Sequence, residues 1–292
     1  MNYTTFETSQ SGAAHLRDPQ LRALFERDGV VVVDLLDPHE IASLRELNER
    51  VRRFHIHDFM PSLWCHDLGY RREVDAEVSR ILAPKLAPLL EGEKICFAGL
   101  AVKKPRSKSA LPLHQDLTFV DETQYATLGV WVPLVEATPE NGSLSVIPRS
   151  HLLNRHERGF GGSFPYEAIT PWLERRYLLQ TRIPAGKAVL FTQRLFHASG
   201  PNTSDEERPA AYALITGASA PMRFLHFRAA QEQDPFTGTL DVVAVDDDFY
   251  RRYLFGTLPS EGERLGSIDF RFEPLDAQRL RAVLGPGRAV PE

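Results

Sequence analysis

The sequence is poor in cysteine and has no long apolar run. Cys65 and Cys96 are its only cysteines, which excludes a disulfide framework and a cysteine-rich zinc site. We therefore expect two reduced thiols in a cytoplasmic protein. No apolar stretch approaches the length that spans a membrane. Residues 1–14 are polar and lack the apolar region of a signal peptide, so we expect neither a leader nor a membrane anchor.

An excess of basic residues is also missing. The 34 Lys and Arg are outnumbered by 39 Asp and Glu, for a net charge of −5, so there is no electrostatic footprint for nucleic acid. The 292 residues, 42% hydrophobic and 25% charged, are ordinary for a globular protein with a sizeable core. Without a repeat or a linker, we expect one domain over 1–292, with about 1–16 and 285–292 loose.

Helical and extended patterns divide the chain. Residues 18–28 predict a helix, 30–36 a strand, and Asp37-Pro38-His39-Glu40 the start of a second helix. A further helix is predicted at 73–82, ending near Pro84, and a late one at 246–254. From Lys94 short strands prevail. They are predicted at 95–103, around 114–116, and at 126–134, 143–148, 181–184, 188–192 and 210–216. This order favours an antiparallel barrel or a jelly roll.

His114 and Asp116 carry the clearest chemical signal. Of ten histidines, only His114 is followed two residues later by an acid. On a strand, side chains at i and i+2 leave the same face, so an imidazole and a carboxylate would point into one space. The best third ligand is His197. Two histidines and one carboxylate form the facial triad of non-haem Fe(II) oxygenases, although the H-x-D motif alone is weak evidence.

Arg208 lies eleven residues after His197, just before the apolar run 210–216. Two strands joined by a turn would bring its planar guanidinium beside the metal, where it suits a carboxylate. The alternative is a surface arginine next to the acids at 205–207.

Other stretches admit two interpretations each. His55 and His57 have strand spacing, yet nothing downstream completes a metal site with them. The basic loop 104–110 either meets an anionic substrate or is simply exposed. The glycine-rich and aromatic stretch 159–165 is a mobile cover or a plain surface loop. The candidates for lining a pocket are Gln115, Phe119, Lys103, Arg149 and Phe160.

Taken together, the motifs resemble the phytanoyl-CoA dioxygenase family of Fe(II)/2-oxoglutarate-dependent oxygenases. The resemblance covers roughly residues 20–260, in the order of the family. Arg149 is a departure, because the family usually has a glycine there, which would permit positive φ. The matching pieces are His114-Gln115-Asp116, Trp131-Val132-Pro133-Leu134, Asn141-Gly142-Ser143-Leu144, Ile147-Pro148-Arg149-Ser150-His151, and His197-Ala198-Ser199-Gly200-Pro201-Asn202 with Arg208.

The resemblance implies a fold and an activity. The fold is mainly β with flanking helices, a double-stranded β-helix (jelly roll, cupin-like). Fe(II) is held by the catalytic residues His114, Asp116 and His197. The cosubstrate 2-oxoglutarate is held by Arg208, with Ser199 and Trp131 beside it, and dioxygen is the oxidant. A small organic substrate is hydroxylated at an unactivated C–H, with release of succinate and CO2. The carboxylate of Asp116 favours hydroxylation over halogenation, and leaves desaturation and cyclisation open.

Two alternatives are kept. One is a cupin-like metalloenzyme without 2-oxoglutarate, an isomerase or a simple dioxygenase, against which Arg208 and Ser199 argue. The other is a non-catalytic metal-binding protein, against which the intact triad argues. Neither the substrate nor the oligomeric state follows from the sequence, because fold-level analogy does not carry a substrate.

Overall fold

The computed structural model describes residues 16–231, 236–272 and 274–287. The three longest of its helices lie in the first third, as the sequence predicts. None of the described helices is long and apolar enough to cross a bilayer. The helices are α1 (Pro19–Asp28), α2 (Pro38–Arg50), α3 (Leu68–Leu86), α4 (Thr170–Tyr177), α5 (Phe249–Arg252) and α6 (Ala277–Leu284).

Apart from short 3-10 helices, the remaining elements of the described residues are strands, and their pairings are antiparallel. They are β1 (Val30–Asp34), β2 (Phe59–Pro61), β3 (Glu93–Lys103), β4 (Leu111–His114), β5 (Thr127–Pro133), β6 (Leu144–Ile147), β7 (Leu179–Gln180), β8 (Lys187–Thr192), β9 (Phe196–Ser199), β10 (Arg208–Gly217), β11 (Met222–Ala229), β12 (Thr237–Val245) and β13 (Glu263–Arg271).

Two of the sheets pack face to face. The larger has the order β1-β8-β5-β10-β3-β2 and the smaller β4-β9-β6-β7. Side chains from both meet in one buried cluster, which includes Trp131, Leu144 and Phe191. Helices α1, α2 and α3 cover the outer face of the larger sheet, where Leu100 and Val102 pack against them. With both faces covered, its strands are apolar almost throughout. The arrangement is the jelly roll rather than a closed barrel.

A third sheet, β11-β12-β13, is attached to this core through the segment 158–160. The backbone N–H of Thr118 donates to the carbonyl of Arg158, and that of Phe160 donates to Leu225. The Phe160 ring stacks on Phe224 with centroids 4.6 Å apart. Residues 158–160 are therefore bound on both sides, and the mobile-cover interpretation of 159–165 is wrong for this part.

The predicted helix starts are confirmed. The Asp18 carboxylate accepts from the backbone of Gln20 and Leu21, and α1 ends at Gly29, whose φ is +76°. Asp37 and Glu40 form the expected capping box of α2.

The boundaries of α3 are a correction. It runs from Leu68 to Leu86, longer than the predicted 73–82, because Asp67 caps it earlier and Pro84 is tolerated in its last turn. The late helix is the shorter α5.

Not every predicted strand forms. The predicted strand 181–184 is wrong, since only Ile183 there makes a bridge, with Ala137, and β7 precedes it. Sequence analysis did not identify β2 or the third sheet. Of the ends expected to be loose, 1–15 and 288–292 lie outside the described residues. Leu16 is buried and bridges Leu90, and the carbonyl of Gly285 accepts from Tyr177.

Gly142 lies where the turn before β6 closely approaches the end of β9. Its φ is +76°, and an added Cβ would lie 2.5 Å from the carbonyl oxygen of Gly200 and 2.9 Å from Lys103 Cδ. Gly92 has a similar φ of +69° with nothing within 4 Å of an added Cβ. We expect Gly142→Ala to lower the free energy of unfolding by about 3 kcal/mol and Gly92→Ala by about 1 kcal/mol, measured by urea denaturation. Equal losses would show that the close approach at Gly142 does not matter.

Candidate metal centre

The pairing of β4 with β9 places two histidines side by side. His114 is directly opposite His197 in the register, and their ring centroids are 4.2 Å apart. Directly opposed residues of an antiparallel pair project from the same face. The structure therefore brings together two imidazoles that are 83 residues apart in sequence.

Asp116 joins them, but not for the reason expected. Strand β4 ends at His114, so the shared-strand argument for Asp116 is wrong. Its backbone N–H instead donates to the carbonyl of Gln193, 3.1 Å away, next to the start of β9. From there its Oδ1 lies 3.7 Å from Nε2 of both His114 and His197.

Each imidazole is oriented by a backbone carbonyl. Nδ1 of His114 lies 2.8 Å from the carbonyl oxygen of Pro112, and Nδ1 of His197 lies 2.9 Å from that of Leu195. With Nδ1 donating, Nε2 of each ring keeps its lone pair for a metal. The ligand atoms of the triad lie within 4.8 Å of one another. Two nitrogens and a carboxylate at this spacing fit Fe(II).

Gln193 supports the carboxylate. With its amide nitrogen turned to Asp116, it donates to Oδ2 at 2.7 Å, and its oxygen accepts from the N–H of Gly129 at 2.9 Å. Such partners fix the orientation of a metal ligand. Sequence analysis missed Gln193, and no pattern in the sequence points to it.

The charges of the triad follow from burial and proximity. Burial, helped by the charge of His114, lowers the pKa of His197 to about 4. Burial alone would raise the pKa of Asp116, but the two histidines outweigh it and the pKa is lowered. At neutral pH the centre therefore offers an ionised carboxylate and a neutral His197, the states in which both bind a metal.

A buried ion network holds the Asp116 segment. Glu122 is 4% exposed and receives Nη2 of Arg158 at 2.5 Å and Nε of Arg194 at 2.7 Å. Arg158 Nε also donates to the carbonyl of Asp116 at 2.6 Å, and the side-chain amide of Gln115 donates to the backbone carbonyl of Arg194 at 2.6 Å. Glu122 thus connects the segment that carries Asp116 with the one that leads into β9.

Arg208 is a buried cation without an acidic partner among the described residues. It is 1% exposed, and burial lowers its pKa to about 10. Nη1 donates to the carbonyl of Ala101 at 3.3 Å, while Nε has no hydrogen-bond partner in the described part of the chain. The surface-arginine alternative is wrong. A buried charge left unpaired is costly unless a ligand supplies the counterion.

The neighbours of Arg208 are Trp131 and Lys103. Its guanidinium carbon lies 5.4 Å from the centroid of the Trp131 ring. Lys103 is opposite Arg208 in the register of β3 and β10, and Nζ donates to the carbonyls of Ser109, Ser199 and Gly200. Burial lowers the pKa of Lys103 to about 7. The hydroxyl of Ser199 donates to the carbonyl of Gly142 at 2.8 Å.

One cavity, here called the central cavity, contains the triad and Arg208. Its volume is about 390 Å³, and Ser199, Trp131 and Gln193 also line it. Of the candidates for lining a pocket, Gln115 and Phe119 line it, whereas Lys103, Arg149 and Phe160 do not. The rest of the wall is mostly apolar, and its aromatic members are Phe59, Trp64, Phe97, Phe191, Tyr212 and Phe255.

The other sequence candidates lie away from the site. His55 is buried and His57 is exposed, and neither lines the central cavity. Arg149 occupies a turn with φ of +71°, so the conformation for which glycine is suited is kept with an arginine.

Comparisons with known proteins show the family and the fold of this chain. The model of the family described as "Phytanoyl-CoA dioxygenase (PhyH)" matches residues 39–210. A phytanoyl-CoA dioxygenase domain-containing protein 1 homolog of Caenorhabditis elegans is 31% identical over 119 residues, 37% of this chain and 41% of that protein. The phytanoyl-CoA dioxygenase domain-containing protein 1 of Danio rerio is 36% identical over 116 residues, which are 36% of this chain and 39% of that protein. The match spans about two fifths of these curated relatives.

Among solved structures, the non-heme alpha ketoglutarate dependent carbocyclase SnoK from nogalamycin biosynthesis has a TM-score of 0.57. It is 20% identical, and the match covers 70% of this chain and 86% of that one. At this identity the likeness shows the fold alone. The double-stranded β-helix expected from the sequence is thereby confirmed.

The Glu122 network makes a testable difference. We expect Glu122→Gln to destabilise the metal-free protein by about 3 kcal/mol, because two half-buried guanidinium groups lose their buried counterion. Fe(II) affinity should fall about tenfold as the Asp116 segment loosens. Urea denaturation and a metal titration measure the two effects.

Glu140→Gln is the matched control, since Glu140 pairs with Arg182 at the exposed surface. No measurable change is expected there. Similar losses in both variants would contradict the structural role of Glu122.

Proposed function

Because this chain belongs to the phytanoyl-CoA dioxygenase family, we propose that it is an Fe(II)/2-oxoglutarate-dependent oxygenase. The observation that carries the proposal is the burial of the Arg208 guanidinium beside the triad. A buried guanidinium beside a facial triad, without an acid to pair with in the described residues, needs an anionic ligand. A metalloenzyme without 2-oxoglutarate would bear the cost of burying Arg208 with no use for it.

The residues have distinct roles in this proposal. His114, Asp116 and His197 hold Fe(II), and Gln193 and the Nδ1 hydrogen bonds keep the ligand atoms aimed at it. Bound Fe(II), 2-oxoglutarate and dioxygen supply the oxidising power that leaves a hydroxylated substrate, succinate and CO2. Three protein ligands leave positions on the opposite side for these small molecules.

Arg208 would bind the far carboxylate of 2-oxoglutarate through the edge that includes its free Nε. The Trp131 ring limits where the guanidinium can move and keeps water from it. Ser199 lines the same cavity, and its hydroxyl oxygen has lone pairs left after donating to Gly142. The resemblance to the family assigns Ser199 to the cosubstrate carboxylate, which requires the hydroxyl to turn.

The substrate would react against the aromatic wall of the central cavity. Apart from the triad and Arg208, that cavity is lined by no charged side chain of the described residues. Such a wall excludes water and holds an apolar C–H group near the metal. The basic loop 104–110 does not contribute, because none of its residues lines the cavity, and Arg106 pairs with Asp205 at 2.6 Å. Hydroxylation at an apolar carbon is therefore the proposed reaction. A cytoplasmic location stays a prediction from the cysteine content.

The proposal predicts a spectroscopic signal. Anaerobic addition of Fe(II) and then 2-oxoglutarate to metal-free protein should produce the visible charge-transfer band of the chelate. His114→Ala should abolish the band, because two remaining ligands hold Fe(II) poorly. Iron binding without a band would refute the cosubstrate assignment, and no iron binding at all would refute the metal site.

Arg208→Met tests the anion site separately. Fe(II) affinity should stay unchanged while the 2-oxoglutarate concentration for half-maximal band rises about a hundredfold, as expected for losing one partner of a buried charge pair. Arg182→Met, at an exposed ion pair, is the control and should behave like the unaltered protein. An unchanged 2-oxoglutarate requirement in Arg208→Met would contradict the assignment.

A further inference from the structure

A second cavity, here called the side cavity, adjoins the metal centre. Its volume is about 170 Å³. His114, Gln115 and Leu117 line both it and the central cavity, so the two share a wall. A molecule that reaches from the metal past this wall would extend into the side cavity.

The side cavity has an apolar wall and a polar wall. The third sheet supplies apolar residues, Phe227, Leu240 and Phe270. The segment 154–165 supplies the polar side, with Asn154 and Glu157. Such a cavity suits an amphipathic group rather than a purely apolar one.

Among the described residues that line this cavity, Glu157 is the acid that forms no salt bridge. Its carboxylate is half-buried and makes neither a hydrogen bond nor a salt bridge within the described residues. Two nearby cations form salt bridges with other acids: Arg158 pairs with Glu122, and Arg223 pairs with Asp121 at 3.3 Å. Burial raises the pKa of Glu157 against the opposing charges of Arg223 and Arg158, and the acids Asp121 and Glu122 add to the effect of burial. A cation placed beside Glu157 would relieve this cost.

An anionic group finds no comparable partner there. Arg158 is the one Lys or Arg among the lining residues, and its guanidinium already donates to Asp116, His156 and Glu122. The imidazole of His156, which also belongs to the polar wall, packs against Phe270 with ring centroids 5.6 Å apart. The electrostatics of the side cavity therefore favour a positive ligand.

We propose that the side cavity binds an ammonium group of the substrate at Glu157, so that the enzyme acts on apolar amines. The apolar body of the substrate then lies in the aromatic central cavity, and its amine passes His114 and Leu117 to reach Glu157. The inference rests on the proposed oxygenase function for the reaction. The binding of the amine depends only on Glu157 and the two cavities.

The test compares three probes that share a phenyl ring and differ in charge. Binding of 2-phenylethylamine, 2-phenylethanol and 3-phenylpropionate is measured by calorimetry at pH 7.5. Each is titrated into anaerobic protein with Fe(II) and 2-oxoglutarate, and into protein without either. The amine should bind at least about tenfold more tightly than the alcohol, as a charge-assisted hydrogen bond requires, and the propionate should bind weakest.

Glu157→Gln should reduce the preference for the amine over the alcohol to about twofold or less. Glu167→Gln, which removes the same charge at an exposed position ten residues further along the chain, should leave the preference intact. A wild-type protein that binds the alcohol or the propionate as well as the amine would overturn the inference. So would a preference that survives Glu157→Gln, or one that Glu167→Gln also removes.

Failure of the oxygenase proposal would look different. In that case the chelate band is missing, yet the titration without Fe(II) and 2-oxoglutarate still reports whether Glu157 selects the amine. A band with no amine preference would refute the inference and leave the proposed function standing.

Discussion

The antiparallel pairing of β4 with β9 is the constraint on which the site depends. It places His114 opposite His197. Each ring is then oriented by the backbone carbonyl two residues before it in the chain. Strand pairing is specified by the burial of whole faces, so a slip of one residue in either strand would turn the imidazole of that strand away from the cavity. The metal centre is therefore as stable as the packing of the two sheets. Lys103 reinforces that packing by donating to the carbonyls at the end of β9.

Arg208 sets the second condition. Burial of its guanidinium disfavours the charged form, and the hydrogen bond to Ala101 satisfies only one of its donors. The folded protein carries this cost in advance, so a carboxylate that arrives meets a donor already desolvated and aimed. The ammonium group of neighbouring Lys103 donates hydrogen bonds to three carbonyls and does not line the cavity, so Arg208 is the cation that faces the cavity. This division between a lysine bonded to the protein and an arginine open to the cavity is visible only in three dimensions.

Much of the site was predictable because its chemistry is concentrated in short motifs. The triad, Arg208 and the helix cap at Asp37 all follow from residue type and spacing. Asp116 was found for the wrong reason, since the strand ends two residues before it. Gln193 and Glu122 were missed because their role depends on which distant segment folds against them, and a lone Gln or Glu has no pattern of its own. The third sheet was missed for a similar reason, because its mostly exposed strand β13 has no apolar alternation to read.

The position of Asp116 outside a strand has a consequence for specificity. Because no ladder of hydrogen bonds holds it, its placement relies on Gln193 and on Arg158, which comes from the segment 154–165. The same segment supplies the polar wall of the side cavity. A change in that wall that moves Arg158 also moves a metal ligand, so the cavity and the metal centre cannot vary independently. Substitutions that redirect substrate choice with least harm to the metal are therefore expected on the third sheet, at positions such as Phe227 and Leu240, which touch the cavity but not Asp116.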